Sequence, residues 1–190
     1  MVTTSGDNTA RLWNVSTAKT TLVLQGHAGW VTSAVFSPDG GQIVTTSGDK
    51  TARIWDASTG KELAMFVGHR ALVNSAVFSP DGRQVLTAGD DLARVWDAGS
   101  GKEQLAFVER TGHLISAAFS LDGRMVVTTN SDGTAHVWDF TTGREIAELR
   151  GHTGTVRTAA FSPDGQFIVT ASDDGTARIW DVSIRSRCAS

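Results

Sequence analysis

An all-β protein assembled from repeated four-stranded antiparallel units is the fold class predicted by three observations in this 190-residue sequence. A hexapeptide recurs as TARLWN from Thr9, TARIWD from Thr51, LARVWD from Leu92, TAHVWD from Thr134 and TARIWD from Thr176. Its tryptophans, Trp13, Trp55, Trp96, Trp138 and Trp180, are separated by 42, 41, 42 and 42 residues, a spacing that marks a repeat architecture. Turn signals recur at fixed offsets within each copy. Between them lie runs of about six residues rich in β-branched and aromatic types, too short for an ordinary helix and without helical periodicity.

The copy covering residues 26–67 justifies each element in order. WVTSAVF is the first strand, and it ends at SPDG from Ser37, where proline fixes φ for a tight turn and glycine follows. QIVTTS, the second strand, is closed by SGDK from Ser47. TARIWD and ELAMFV are the third and fourth strands, joined by STGK from Ser58. The first turn recurs as SPDG at Ser79 and Ser162 and as SLDG at Ser120. One such sheet covers too little apolar area to be stable alone, so successive units must pack face to face, around an axis or along a line. The first copy starts in its second strand, and the tail VSIRSRCAS after Asp181 lacks a convincing fourth strand. The expectation is three complete units flanked by two partial ones, forming one domain over residues 1–183 with a polar tail at 184–190.

Composition narrows the function classes. A chain that is 40% hydrophobic and 19% charged reads as globular rather than disordered. Its net charge of −3 has no basic cluster to attract phosphate backbones, which argues against nucleic acid. A single cysteine, Cys188, excludes an internal disulfide. The segment MVTTSGDNTA resembles no leader, and no run approaches the roughly 18 apolar residues of a membrane span. A cytoplasmic location without membrane contact is the expectation.

A Gly-His pair, the SPDG turn, an aspartate six residues before a tryptophan and a terminal Trp-Asp, recurring in order along nearly the whole chain, resemble the WD40-repeat β-propeller family. The close similarity between copies resembles repeat-rich bacterial members. The resemblance implies a β-propeller of four-stranded antiparallel blades, here between four and a half and five of them, three complete and two partial. The chemistry of the repeated residues can also be reasoned directly. A buried Trp55 indole is a donor and needs an acceptor, which the Thr45 hydroxyl on the preceding strand offers. That hydroxyl can donate to a neutral His27, whose other nitrogen can donate to Asp49 in the tight turn. Burial of one tryptophan is worth at most about 4–6 kcal/mol, from about 150–250 Å² at about 25 cal/mol per Å². The same positions hold Thr87, Asp90 and Trp96, then Thr128, Asp132 and Trp138, then Thr170, Asp174 and Trp180, while the family resemblance makes His69 and His152 the imidazoles of the third and fifth copies.

The fourth copy departs from this pattern. His113 stands six residues before Phe119, whereas His27, His69 and His152 stand nine before Phe36, Phe78 and Phe161, so Glu109-Arg110 replaces Gly-His in register. Two readings stay open: decay of one repeat, or a locally distinct blade that hosts a partner contact.

Neither catalysis nor a cofactor is expected. A Thr-His-Asp series invites comparison with a hydrolase triad, but the hydroxyl serves a tryptophan, the series recurs in blade after blade, and no nucleophile elbow exists. TGK at Thr59 lacks the glycine pattern of a phosphate loop. SDGTA and DDGTA lack the spaced carboxylates of a calcium site, and the histidines are not clustered, so no metal is expected. Arg11, Arg53, Arg94 and Arg178 share one strand position and read as solvated blade-edge charges paired with nearby acids.

What remains is a non-enzymatic platform for protein or peptide partners, such as the sensor or scaffold module of a larger signalling protein. By the family resemblance, the partner-facing candidates are Trp30, Thr32, Leu72, Asn74, His113, Ile115, Ser131, Thr155, Arg157 and Asp173. Trp30 is the tryptophan outside the repeated set and suits a hot-spot role, with packing beneath a neighbouring loop as its alternative. The alternative function is a structural ring segment that only self-associates or completes a larger propeller.

Overall fold

A computed structural model of the chain describes residues 1–89, 92–108 and 112–183, in which eighteen strands and no helix are found. They form five antiparallel sheets. The first contains β1 (Val2–Thr4), β2 (Thr9–Asn14) and β3 (Lys19–Gln25). The second contains β4 (Val31–Phe36), β5 (Gln42–Ser47), β6 (Thr51–Asp56) and β7 (Glu62–Val67). The third is β8 (Val73–Phe78), β9 (Gln84–Gly89), β10 (Leu92–Asp97) and β11 (Glu103–Val108), and the fourth is β12 (Leu114–Phe119), β13 (Met125–Asn130), β14 (Thr134–Asp139) and β15 (Glu145–Arg150). The fifth, within the described residues, is β16 (Val156–Phe161), β17 (Phe167–Ser172) and β18 (Ala177–Asp181). The described residues are thus all-β and form three four-stranded propeller blades and two three-stranded sheets.

Each SPDG-type turn is closed by its own side chains. Ser37 Oγ accepts from the Gln42 N–H at 2.9 Å and donates to Asp39 Oδ1 at 2.6 Å, and that carboxylate accepts from the Gly41 N–H at 3.0 Å. Ser79, Ser120 and Ser162 start the same arrangement in the next three blades. Local hydrogen bonding of this kind fixes the hairpin before any blade meets its neighbour.

Blades pack face to face in chain order, with β1 beside β4, β4 beside β8, β8 beside β12 and β12 beside β16. Every junction has the same polarity. The forward face of the second blade, carrying Val44, Ala52, Ile54 and Phe66, meets the backward face of the third, carrying Ala76, Val85, Trp96 and Ala98. Leu86, Val95 and Phe107 meet Ala117, Val126 and Trp138 at the next junction. Val127, Val137 and Leu149 then meet Ala159, Ile168 and Val182. Alternation of side chains along each strand produces these two faces, so the repeated hexapeptide places its tryptophan on one and its preceding aliphatic on the other.

Two bulges per complete blade shape its inner and outer edges. Registers slip at Val31/Ser33, Val73/Ser75, Leu114/Ser116 and Val156/Thr158, leaving Thr32, Asn74, Ile115 and Arg157 as the extra residues of the inner strands. On the outer side the slip sits at the tryptophan, pairing Trp55 with Glu62, Trp96 with Glu103 and Trp138 with Glu145. A bulge re-aims the extra side chain and increases local twist.

The glycine before each repeated histidine covers the far end of an indole. A Cβ at Gly26 would stand 2.9 Å from Arg53 Nη1 and 3.0 Å from Trp55 Cη2, and Gly68 and Gly151 are placed equivalently over Trp96 and Trp180. The guanidinium can swing aside, but the packed indole cannot. Gly26→Ala is therefore expected to lower the unfolding free energy by about 1–3 kcal/mol, while Gly6→Ala, where a Cβ meets nothing within 4 Å, stays near neutral. Urea denaturation of the two variants checks this, and equal midpoints would contradict the close-approach account.

Candidate functional site

The repeated polar residues meet in the second blade as a continuous relay. Trp55 Nε1 donates to Thr45 Oγ1 at 2.7 Å, His27 Nε2 lies 2.8 Å from the same oxygen, and His27 Nδ1 lies 2.9 Å from Asp49 Oδ2. Since Trp55 uses an acceptor site of Thr45, the hydroxyl proton is free to go to Nε2, and a neutral imidazole then carries its proton on Nδ1 toward Asp49. Asp49 also accepts from the Ala28 N–H and from the N–H and hydroxyl of Thr51. Burial works to raise the Asp49 pKa, but these hydrogen bonds outweigh it and hold the carboxyl well below its ordinary range. His27 is held below its usual value, first by burial, with Asp49 opposing.

The fifth blade repeats the arrangement, with Trp180 to Thr170 at 2.9 Å, His152 to Thr170 at 2.8 Å and His152 to Asp174 at 2.8 Å. Hydrogen bonding from Thr176, with burial opposing and His152 adding, keeps Asp174 below the usual carboxylate range. In the third blade Trp96 donates to Thr87 at 2.8 Å and His69 lies 2.7 Å from the same hydroxyl, while Asp90 falls outside the described residues. Trp13 donates to Thr3 at 2.7 Å in the first sheet.

The fourth blade is built differently. Trp138 donates to Thr128 at 2.8 Å, and Asp132 accepts from the N–H and hydroxyl of Thr134. Arg110 lies outside the described residues. His113 is exposed and away from the relay, its N–H donating to Ser131 Oγ at 2.9 Å. His136 is the buried imidazole here, 3.1 Å from Thr134 Oγ1 and 3.0 Å from Glu145 Oε1, with its ring centroid 6.0 Å from that of Trp138. It occupies the strand position that holds arginine in the other copies.

Two of those arginines correct one reading of the sequence, while Arg178 is exposed as expected. Arg53 and Arg94 are not solvated edge charges: their side chains are 15% and 12% exposed, each donating at 2.7 Å to Glu62 or Glu103 of the outer strand. The register shift sets each glutamate opposite a tryptophan and within reach of the guanidinium, and the glutamate side chains themselves stay 35% and 36% exposed. Arg11, opposite a sheet position without glutamate, pairs with Asp7 at 2.8 Å and stays 41% exposed. A sequence signal for this clasp existed, because Glu62, Glu103 and Glu145 each stand seven residues after a repeated tryptophan.

The ten partner candidates gather where the segments leading into the inner strands adjoin the tight turns between the second and third strands. Gly48 N–H donates to Trp30 O, Ser131 N–H to His113 O, and Asp173 N–H to Thr155 O. Several candidates are engaged between blades. Thr32 Oγ1 donates to Val73 O at 2.6 Å, Asn74 Nδ2 to Leu114 O at 2.6 Å and Thr155 Oγ1 to Ser131 O at 3.3 Å. Leu72 and Ile115 are half-buried. Arg157 and Asp173 form an exposed two-point ion pair at 2.6–3.0 Å. Trp30 is 57% exposed and lies across Gly48, where a Cβ would stand 3.1–3.4 Å from the indole. Among the described residues, no group of three or more His, Cys, Asp or Glu side chains could hold a metal ion, and no helix is long and apolar enough to cross a membrane.

Comparison with known proteins agrees with this geometry. The family model described as IFT122 first beta-propeller matches residues 1–187. The chain is 48% identical over 40 residues to Ribosome assembly protein 4 of Chaetomium thermophilum and 50% identical over 40 residues to its namesake in Saccharomyces cerevisiae. Each alignment covers 21% of this chain and 8% of the relative, a stretch about the length of one repeat.

His27→Ala is expected to cost about 1–3 kcal/mol, because Thr45 loses its acceptor and Asp49 a donor while both remain enclosed. Thermal unfolding against wild type checks it, and an unchanged midpoint would remove the relay's structural role. The depressed His27 and Asp pKa values also set a direction with pH. The unfolded chain protonates first at its histidine near the reference 6.5 and at its carboxylates near 3.8, so the stabilisation is complete above each value and is lost as the pH falls toward the folded one. The melting temperature should fall between pH 7 and pH 5 and again below about pH 4, with His27→Ala flattening the first step.

Proposed function

The chain belongs to the family described as the IFT122 first beta-propeller, a WD40-type β-propeller family, and from that premise we propose that it is a non-enzymatic scaffold binding a protein or peptide partner on the rim that carries Trp30. Propellers of this type generally bind protein partners and do not catalyse reactions. Residues 1–183 act as one propeller segment with 184–190 as its tail, within a sensor or scaffold module of a larger cytoplasmic signalling protein.

One observation carries this reading: Trp30 keeps more than half of its surface open while its ring is backed by the Gly48 turn. A large aromatic already fixed by its support loses little conformational freedom when a partner covers it, which is what makes tryptophan a frequent hot spot. The Arg157–Asp173 pair offers a polar margin on the same end of the blades. The threonine hydroxyls, by contrast, are committed to indoles and imidazoles and are not free to act as nucleophiles.

Cross-linking capture from cell extract with mass spectrometry tests the rim. Trp30→Ala is expected to reduce recovery of the specific partner at least tenfold without lowering the melting temperature. Arg124→Ala, in the exposed turn after β12 at the other end of the fourth blade, should leave recovery intact. Equal recovery from both variants would overturn the assignment.

A further inference from the structure

The second blade reverses the residue pattern of its rim turn. In the fourth and fifth blades the three residues after the second strand are Ser131-Asp132-Gly133 and Asp173-Asp174-Gly175, with a side chain first and glycine third. Gly133 and Gly175 have φ of 87° and 79°, the left-handed region that side chains disfavour. In the second blade the order is Gly48-Asp49-Lys50, so that Lys50 takes the left-handed position at φ 71°, while Gly48 stands where φ is not positive. Glycine is there for close approach instead. A Cβ at Gly48 would lie 3.1, 3.2 and 3.4 Å from Nε1, Cε2 and Cδ1 of Trp30, so the five-membered ring lies flat on the glycine with its N–H directed along the turn rather than into it. At Gly6, the same position in the first blade, a Cβ meets nothing within 4 Å. Lys50 carries backbone strain that the turn itself does not require, since glycine, or asparagine at Asn8, holds the position in the other described turns. Among the described residues, no acceptor meets the Trp30 N–H and no carboxylate pairs with the exposed Lys50. The neighbouring acids are engaged, Asp7 by Arg11 at 2.8 Å and Asp49 by His27, Ala28 and Thr51.

We propose that the Trp30 rim takes an acidic peptide segment, one carboxylate of which accepts from the Trp30 indole N–H and pairs with Lys50 while an adjacent apolar side chain covers the open ring. This rests on the reading of Trp30 as a partner-binding residue and adds the chemistry of the partner. Gly48 and Lys50 are two residues apart, so their Cα atoms are separated by about 7 Å at most, and the lysine stem can bring its ammonium to a group seated at the indole edge. A carboxylate offers two acceptor oxygens and one charge, which one ammonium and one neutral donor match. A phosphate brings nearly two charges and suits a cluster of guanidinium groups, but Arg157, the arginine among the rim candidates, is already held at two points by Asp173. A cationic segment could stack on the indole but would meet Lys50.

Selection of a random-peptide phage library on the immobilised full chain, with Trp30→Ala as the counter-selection, supplies the probes, and the selected peptides are then synthesised and titrated. Trp30-dependent peptides are expected to carry Asp or Glu beside an apolar residue. Replacing that acid by its amide should weaken binding to wild type about tenfold and change binding to Lys50→Gly little. Lys50→Gly should itself bind the acidic peptides about tenfold more weakly yet melt at a higher temperature than wild type, because the strained φ is relieved. These opposite directions separate a binding role from a folding one. Added salt should weaken binding to wild type more than to Lys50→Gly. Trp30-dependent peptides without an acidic residue, an amide form that binds as well as the acid, or wild-type affinity in Lys50→Gly would each overturn the acidic partner and leave the rim reading standing. Tighter binding of a phosphoserine form than of the carboxylate form would overturn the choice of anion. A selection that yields no Trp30-dependent peptide would overturn both readings.

Discussion

The structure depends on the seating of an indole between blades. Trp55, Trp96 and Trp138 each lie in the core of a junction, and each sends its single polar group to a threonine on the adjacent strand of its own sheet. The apolar ring supplies the burial that a lone four-stranded sheet cannot obtain, while the N–H to threonine bond fixes the ring's tilt. Everything around it accommodates this ring. A residue without a side chain stands over its far edge, a register shift in the outer strand sets a glutamate within reach of the neighbouring guanidinium, and an imidazole closes the polar end.

Polar satisfaction, rather than extra attraction, explains why the relay has four members. Thr45 buried beside an indole would leave its hydroxyl proton unplaced without His27, and His27 would leave Nδ1 unplaced without Asp49. A chain of that kind is worth having only when complete, because a buried donor or acceptor without a partner costs more than the bond would gain. Asp49 ends the chain near the surface, where four donors converge on it, so the charge is held at a point that can support it. The resemblance to a catalytic triad is thus one of residue types, with the hydroxyl committed to structure.

The fourth blade illustrates how the same constraint is met with other residues. Its outer-strand clasp is an imidazole and a carboxylate instead of a guanidinium and a carboxylate, with His136 against Glu145 where Arg53 meets Glu62. The substitution keeps the polar contact to the outer strand and places a flat ring 6.0 Å from that of Trp138. On the rim, Ile115 takes the bulge position where Thr32 and Asn74 donate to the next inner strand, and Thr155 of the following blade supplies a bond to Ser131 instead. Variation of this sort is tolerated because each junction is nearly independent, as in other repeat architectures.

By itself the sequence determined what is local or periodic. Strand lengths, turn positions, the number of complete and partial sheets, and the face occupied by each tryptophan follow from a two-residue alternation and a repeat of 41–42 residues, which act within reach of neighbouring residues. The residue types of the relay were open to reading because their spacing from each tryptophan repeats. Tertiary structure alone decided burial and direction. Arg53 and Arg94 look like surface charges in a strand, and only the folded blade, with Glu62 and Glu103 on the outer strand and Gly26 and Gly68 beside the guanidinium, encloses most of each. Thr32 and Asn74 look free on an inner strand, and the folded chain brings a carbonyl of the next blade to each of them. Whether an apolar strand face is core or surface is likewise a property of its neighbour: Ile54 and Ile179 stand in the same hexapeptide, one sealed by the following blade and the other open, because burial belongs to the contact and not to the residue.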